Sequence, residues 1–196
     1  MNKIELLRMF FEDSNFLLIA FIIILAAVVV DCILGGSALY NFSGKLGLKN
    51  KGFCFIPFLN KLMLGKIAEK ISDKREEKTF KAAKPLFISY IASAIALLIL
   101  AVVSFFALTT LLAASYEAVK NGDELSASAF NLFIYVIILY FIALAVTALT
   151  IGLKAVCSYK IFLALQQKNA KAKAILSAII PLFSAVALFL ARKKDI

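Results

Sequence analysis

Histidine is absent from this chain of 196 residues. The chain therefore cannot build a histidine-based catalytic triad, a zinc site with imidazole ligands or a haem site with an axial histidine. Its three cysteines, Cys32, Cys54 and Cys157, have no CxxC spacing, and an odd number gives no disulfide framework. They lie in or beside apolar stretches, so we expect them to be small buried hydrophobes. We expect no metal and no cofactor.

Charged residues are also scarce. They make up 17% of the chain, whereas apolar residues make up 63%. Soluble domains contain about 45–50% apolar residues. A soluble protein of this size could not bury so much apolar surface, so lipid must cover part of it. The composition predicts an all-α polytopic membrane bundle in which residues 1–196 form a single integral membrane domain.

The net charge of +10 would suggest a nucleic-acid partner in a soluble protein. Here the basic residues fall in blocks beside apolar segments, a pattern that sets the orientation of membrane proteins. Residues 41–84 carry eleven Lys or Arg against four acidic residues. We therefore predict that this segment is cytoplasmic, with the N-terminus outside the cell membrane and the C-terminus in the cytoplasm, and that there is no nucleic-acid partner.

Three apolar runs are long enough to cross a hydrocarbon core of about 30 Å. They cover residues 16–38, 85–116 and 128–153. Gly35 and Gly36 should loosen the helix near the end of the first run. Lys154 follows the third run, where its side chain should reach the lipid headgroups, although that helix could continue to Leu165.

Asp31 lies near the end of the first run. A carboxylate costs about 2.5–3.5 kcal/mol at the bilayer centre and less near the interface. Asp31 is therefore either an interfacial residue that reaches headgroups or a lysine, or part of a functional site. In the second case it is the first candidate for an ion or proton site, with Asn60 and Lys154 as its candidate neighbours.

Residues 52–71 form an apolar segment that is too short to cross a bilayer before Lys61 interrupts it. Pro57 disfavours helical geometry at Ile56, so a helix should begin at Pro57 or just after it. Apolar residues then recur at the spacing of a one-sided helix, while three lysines lie off that stripe: Leu64, Ile67, Ala68 and Ile71 against Lys66, Lys70 and Lys74. We predict a re-entrant or interfacial amphipathic segment whose lysines bind anionic lipid headgroups.

Residues 174–191 form a second short segment, which Pro181 interrupts. Eighteen residues are just enough for a span. A span would place the basic residues that follow it outside, against the positive-inside preference, whereas a re-entrant or interfacial hairpin bent at Pro181 returns them to the cytoplasm. We favour three full spans with two short segments, and the alternative is four spans.

The two short segments have similar flanking sequences. Tyr40 is followed ten residues later by Asn50, and Tyr159 is followed ten residues later by Asn169. In both places a span comes before, and a short apolar segment with a proline comes after. The pattern is either a parallel repeat, matching residues 16–71 to 129–191, or chance within the shared composition of membrane segments. Transporters often place their sites between such repeats.

The string IPFLNKLMLGKIAEK resembles a segment of small multi-spanning membrane proteins of unassigned function from Gram-positive anaerobic bacteria. Those proteins are similar in having the pattern I-P-x-x-N-x-x-x-L-G-K-I-A after the first span. The resemblance covers a small part of the chain and implies no particular activity. The residues that carry it are Ile56, Pro57, Asn60, Leu64, Gly65, Lys66, Ile67 and Ala68.

Three classes of function follow from these patterns. The first is a small membrane module that acts through a partner, such as a transporter subunit, an assembly factor or an immunity-type protein, or through a homo-oligomer. The second is a transporter or channel built from the repeat, with a site near Asp31. An intramembrane enzyme is the least expected, because there is no G-x-S-x-G motif and Asp31 is the only acid inside an apolar run.

Overall fold

The computed structural model describes residues 18–19, 21–23, 25–75, 80–121 and 127–193. The regular elements in these ranges are helical, which confirms the all-α class. A short 3₁₀ helix, Lys51–Phe55, lies between the first two α-helices. The α-helices are α1 (Phe21–Lys45), α2 (Leu59–Lys74), α3 (Ala83–Asn121), α4 (Ala127–Ala164), α5 (Ala170–Ile179) and α6 (Pro181–Ala191).

Three of the helices described are long and apolar enough to cross a membrane: α1, residues 83–115 of α3 and residues 131–164 of α4. The chain is therefore a helical membrane protein with three candidate spans. The segment at residues 174–191 is divided between α5 and α6, which contain 10 and 11 residues. At about 1.5 Å per residue neither reaches the roughly 30 Å of a hydrocarbon core.

The first helix extends beyond the predicted end at residue 38 and continues to Lys45. Residues Asp31–Gly35 form a π-helical turn within it. Gly36 allows a close approach rather than ending the helix, since a Cβ there would lie 2.8 Å from Phe55 Cδ1. The predicted start of this span, at residue 16, lies outside the described residues.

The apolar stripe of α2 is covered by protein rather than by lipid. Leu64, Ile67, Ala68 and Ile71 are buried in the core. Both α3 and α4 pack against α2, and their apolar side chains take the place of lipid. Of the three lysines beside the stripe, Lys66 is half-buried, while Lys70 and Lys74 are exposed.

The hydrophobic core lies at one end of the bundle, which we call the basic end because residues 41–84 lead into and out of it. It is built from the last part of α1, from α2, from the first turn of α3, from the last part of α4, and from α5 and α6. At this end the backbone N–H of Ala83 donates to Glu69 Oε1 at 2.8 Å. Away from it the spans expose large apolar side chains along most of their length.

The ends of α1 and α4 repeat one another. Each helix ends with the same two backbone hydrogen bonds. At the end of α1, Leu46 N donates to Phe42 O and Leu48 N donates to Ser43 O. At the end of α4, Leu165 N donates to Ile161 O and Gln167 N donates to Phe162 O. Positive φ angles follow at matching positions in both places, at Gly47 and Asn50 and at Gln166 and Asn169. A short helix comes next, then an extended residue before a proline, Ile56 in one case and Ile180 in the other. Both α1 and α4 run towards the basic end, so the two similar stretches of chain are parallel.

The two similar stretches pack against each other by an exchange, in which the last helix of each packs on the long helix of the other. We call α1, the 3₁₀ helix and α2 the first repeat, and α4, α5 and α6 the second. In each repeat the short helix packs on its own span. The helix after the proline packs on the span of the other repeat, α2 on α4 and α6 on α1, where α6 contacts the π-helical turn. α3 connects the repeats and packs along both α2 and α4.

Candidate functional site

A charged pair joins α1 to α2. Lys61 Nζ lies 3.1 Å from Asp31 Oδ2, and these side chains are 12% and 18% exposed. Asp31 opens the π-helical turn of α1, and Lys61 lies in the first turn of α2. Turns of this kind are rare and occur often at functional sites. The structure thus places Asp31 in an ion pair within the protein.

Lys154, which belongs to α4 of the second repeat, lies at the same site. It is 7% exposed and interacts electrostatically with both Lys61 and Asp31. Its predicted position at the lipid headgroups is wrong, because α4 continues to Ala164 and the turns after Lys154 belong to the core. Among the described residues no carboxylate forms an ion pair with Lys154. The cluster of Asp31, Lys61 and Lys154, the charged cluster below, therefore has two cations and one anion.

Asn60, the other predicted neighbour, is buried in the first turn of α2 and is 3% exposed. Its Oδ1 has no hydrogen-bond partner within the described part of the chain. Lys61, rather than Asn60, bonds to Asp31. Sequence reasoning missed Lys61 because it is one of many lysines in this segment. Its position four residues after Pro57, in the first turn of the helix, is the signal that could have identified it.

A strained turn positions Lys61. Leu59 N donates to Pro57 O at 2.8 Å, closing a γ-turn around Phe58. Phe58 has φ 67° and ψ −50°, a region that costs a residue with a Cβ about 1–3 kcal/mol. Such strain persists only where the surrounding contacts hold it. Here the Phe58 ring meets the Tyr90 ring edge-on, with centroids 5.7 Å apart.

Tyr90 connects this turn to the charged cluster. Lys61 Nζ lies 5.6 Å from the centre of the Tyr90 ring, within the range of a cation–π interaction. On the other side of the γ-turn a groove of about 560 Å³ opens between residues 57–59 and the next turns of α3. Its α3 wall consists of Ile91, Ala94, Ile95 and Leu98. Phe58 thus lines the apolar groove and contacts Tyr90, and the Lys61 ammonium lies over the Tyr90 ring.

Hydroxyl groups hold α3 against α4 beside the cluster. Thr150 Oγ1 donates to Ser89 O at 3.0 Å, one turn from Lys154. Ser93 and Thr147 are hydrogen-bonded at 3.1 Å. These bonds link two apolar helices where packing alone is weakly directional. They fix the height of Lys154 along α4 relative to Tyr90 on α3.

The remaining candidates lie elsewhere. Pro181 begins α6, whose turns pack on α1 rather than on the charged cluster's lysines. Cys54 and Cys157 are buried, Cys32 is half-buried, and all three are free thiols. Burial raises the pKa of the Cys54 thiol. In the part of the chain that is described, no group of His, Cys, Asp or Glu could hold a metal ion.

Comparison of the chain with protein-family models, with curated proteins and with solved structures found no match in any of the three.

Proposed function

We propose that the protein is a small integral membrane module that acts by binding another membrane protein along α4. The observation that carries this proposal is a pair of small residues, Ala148 and Gly152, one helical turn apart on an exposed face. A Cβ built on Gly152 would have no atom within 4 Å. Small residues at this spacing let a neighbouring helix approach closely in a membrane.

Most of the other close contacts of α4 are formed within the chain. Thr147 and Thr150 face α3, and the last turns of α4 contribute Cys157, Ile161 and Phe162 to the core. The small pair is left on a different face, beside a groove of about 290 Å³ that Ala148 helps to line. A partner helix there would fill space that no side chain of the described residues fills.

The test is co-purification at native expression in mild detergent after cross-linking. Gly152→Leu should lower recovery of the partner severalfold, because the larger side chain holds the partner helix away. The open space around Gly152 means that the chain itself should fold normally. Ala92→Leu, at an exposed small residue of α3, is the matched control.

Recovery of the protein alone at native expression would count against the proposal. Equal partner recovery with Gly152→Leu and with the unaltered chain would also count against it. Cross-linked dimers of the chain that Gly152→Leu abolishes would identify the partner as a second copy.

The orientation belongs to the same proposal. The basic end faces the cytoplasm, so the N-terminus is outside and the C-terminus is cytoplasmic, and Lys66, Lys70 and Lys74 meet anionic headgroups. This is supported by the concentration of lysine at one end of the bundle. A topology reporter fused after Ile196 tests it, and a signal from the outer side of the membrane would contradict it.

A second candidate function is transport, and the charged cluster favours it. Asp31 and Lys61 come from the first repeat and Lys154 from the second, which is the arrangement in which parallel-repeat transporters bind substrates. Solute or proton flux into liposomes is the test. Flux that persists with Asp31→Asn would remove Asp31 from a transport role, and absence of flux for any solute tested would count against transport.

A further inference from the structure

The charge balance of the site points to a ligand. Lys61 is paired with Asp31, but Lys154 is almost fully buried, and its cluster carries one more positive than negative charge. Taking an ammonium out of water is unfavourable unless an anion compensates it. Among the residues described, Asp31 is the carboxylate that forms an ion pair within the cluster, and Lys61 already binds it. The cluster is therefore suited to one further anionic group.

The shape of the site points to the kind of anion. The groove between the γ-turn and α3 is apolar, and its volume of about 560 Å³ is in the range of roughly 300–1,000 Å³ usual for ligand clefts. Phe58 lines it and contacts Tyr90, and Lys61 lies over the Tyr90 ring. From there it follows Ile91 to Leu98, away from the basic end. A molecule that filled it would have a charged head and an apolar tail.

We propose that the groove binds one anionic phospholipid of the leaflet at the basic end. Its phosphate lies beside Lys61, in the positive field to which Lys154 contributes, and one acyl chain lies in the groove against Ile91 and Ile95. The strained turn at Phe58 closes the groove under the headgroup. The proposal is independent of the partner proposed for α4, because Ala148 and Gly152 are not part of this groove.

The sequence makes a direct test available, because it contains no tryptophan. Ile95→Trp places a single tryptophan in the groove, and lipids brominated on the acyl chain quench tryptophan on contact. The protein is reconstituted in vesicles that contain either brominated phosphatidylglycerol or brominated phosphatidylcholine at the same mole fraction. A lysine beside the phosphate should favour the anionic lipid by about fivefold.

Leu144→Trp is the matched control. Leu144 lines the groove of about 290 Å³ between α3 and α4, and no residue of the γ-turn that precedes Lys61 lines that groove. The hydrogen bond between Ser93 and Thr147 places Leu144 at a similar height to Ile95. At this position the two brominated lipids should quench equally. Equal quenching at Ile95→Trp as well would overturn the proposal.

Charge variants in the Ile95→Trp background identify the headgroup contact. Lys61→Gln should abolish the preference for phosphatidylglycerol, and Lys61→Arg should retain it. If Lys61→Gln does not fold, a loss of the preference in Lys61→Arg serves as the contradicting result, because a guanidinium also binds phosphate. Inorganic phosphate provides the last arm. A phospholipid site should keep its preference in its presence, whereas loss of the preference would mean that the cluster binds free anions and would overturn the lipid assignment.

Discussion

Asn50 and Asn169 adopt the same left-handed backbone conformation, with φ 62° and ψ 41° in one and φ 59° and ψ 39° in the other. Each directly precedes the short helix of its repeat. Asparagine is among the few residues that take this conformation readily, while most residues with a Cβ lose about 1–2 kcal/mol there. The two asparagines that marked the repeat in the sequence are therefore explained by backbone geometry.

The first prediction concerns these two turns. Asn50→Ala and Asn169→Ala should each lower stability by about 1 kcal/mol, which corresponds to a fall of about 2–4 °C in Tm. Asn→Gly at either position should restore most of the loss, because glycine accepts positive φ. Thermal unfolding in detergent, followed by circular dichroism, measures both. A turn whose alanine variant is as stable as the unaltered chain would contradict the role of the left-handed conformation there.

The second prediction concerns Gly65 in the middle of α2. A Cβ at this position would clash with the backbone of Ala83, where α3 begins. Gly65→Ala should therefore destabilise the protein by about 1–3 kcal/mol, the usual cost of overpacking.

Gly152→Ala is the control for Gly65→Ala. Its Cβ meets open space, so the variant should gain about 0.4–1 kcal/mol from the reduced freedom of the unfolded chain. A Tm that falls for Gly65→Ala and rises for Gly152→Ala is the expected pattern. Equal shifts for the two variants would mean that the close contact between α2 and α3 is not required.

The third prediction concerns the charged cluster. Removing Asp31 leaves Lys61 and Lys154 without their carboxylate, whereas removing Lys61 leaves Asp31 facing Lys154. Asp31→Asn should therefore destabilise the protein more than Lys61→Gln. Breaking a fully buried pair costs about 3–5 kcal/mol, and partial exposure should reduce this to about 1–3 kcal/mol for Asp31→Asn. Tm values of the two single variants and the double variant test this order. A larger fall in Tm for Lys61→Gln than for Asp31→Asn would contradict it.

The fourth prediction concerns the buried thiol of Cys54. Burial raises its pKa, so the thiol stays protonated in the folded protein at a pH where an exposed thiol, with a pKa of about 8.5, begins to ionise. The contribution of this thiol to stability should thus be fully present below about pH 8.5 and should fall as pH rises further, because the unfolded chain then releases the proton more easily.

Maleimide labelling measures the state of Cys54. In a variant whose other two cysteines are replaced by serine, Cys54 should react slowly in the folded protein and rapidly in denaturant. A matched variant that keeps only Cys32, which is half-buried, should react faster when folded. Fast labelling of Cys54 in the folded state would show that its packing against Ser43 is open.

Long apolar runs were enough to predict three spans, because lipid sets their length without reference to tertiary contacts. Local patterns also placed the beginning of α2 correctly, since Pro57 acts on its own neighbours. The end of α1 could not be predicted in this way. Gly36 weakens an isolated helix, but in the structure it faces Phe55 and the helix continues past it.

Sequence reasoning named two members of the charged cluster, Asp31 and Lys154. An acid in an apolar run singles out Asp31 without knowledge of the fold. The burial of Lys154 depends on α2, which the exchange between repeats packs against α4. No periodicity in the sequence encodes that exchange, and so the apolar stripe of α2 could not be assigned to protein rather than to lipid.

Packing explains most of the string IPFLNKLMLGKIAEK. Ile56 is extended before the proline, Gly65 meets the start of α3, and Ile67 is part of the core. Asn60 is the residue for which packing gives no reason, since its buried Oδ1 has no partner in the described part of the chain. A functional role for this string would therefore be sought first at Asn60.

The exchange between repeats has a consequence for biosynthesis. A ribosome completes the first repeat before any of the second exists, so the part of the apolar stripe of α2 that α4 covers stays exposed until α4 has been inserted. The nascent first half should therefore be the species that chaperones and proteases of the membrane recognise. For the same reason, two fragments divided at residues 122–126 and expressed together should assemble, whereas either fragment expressed alone should be degraded.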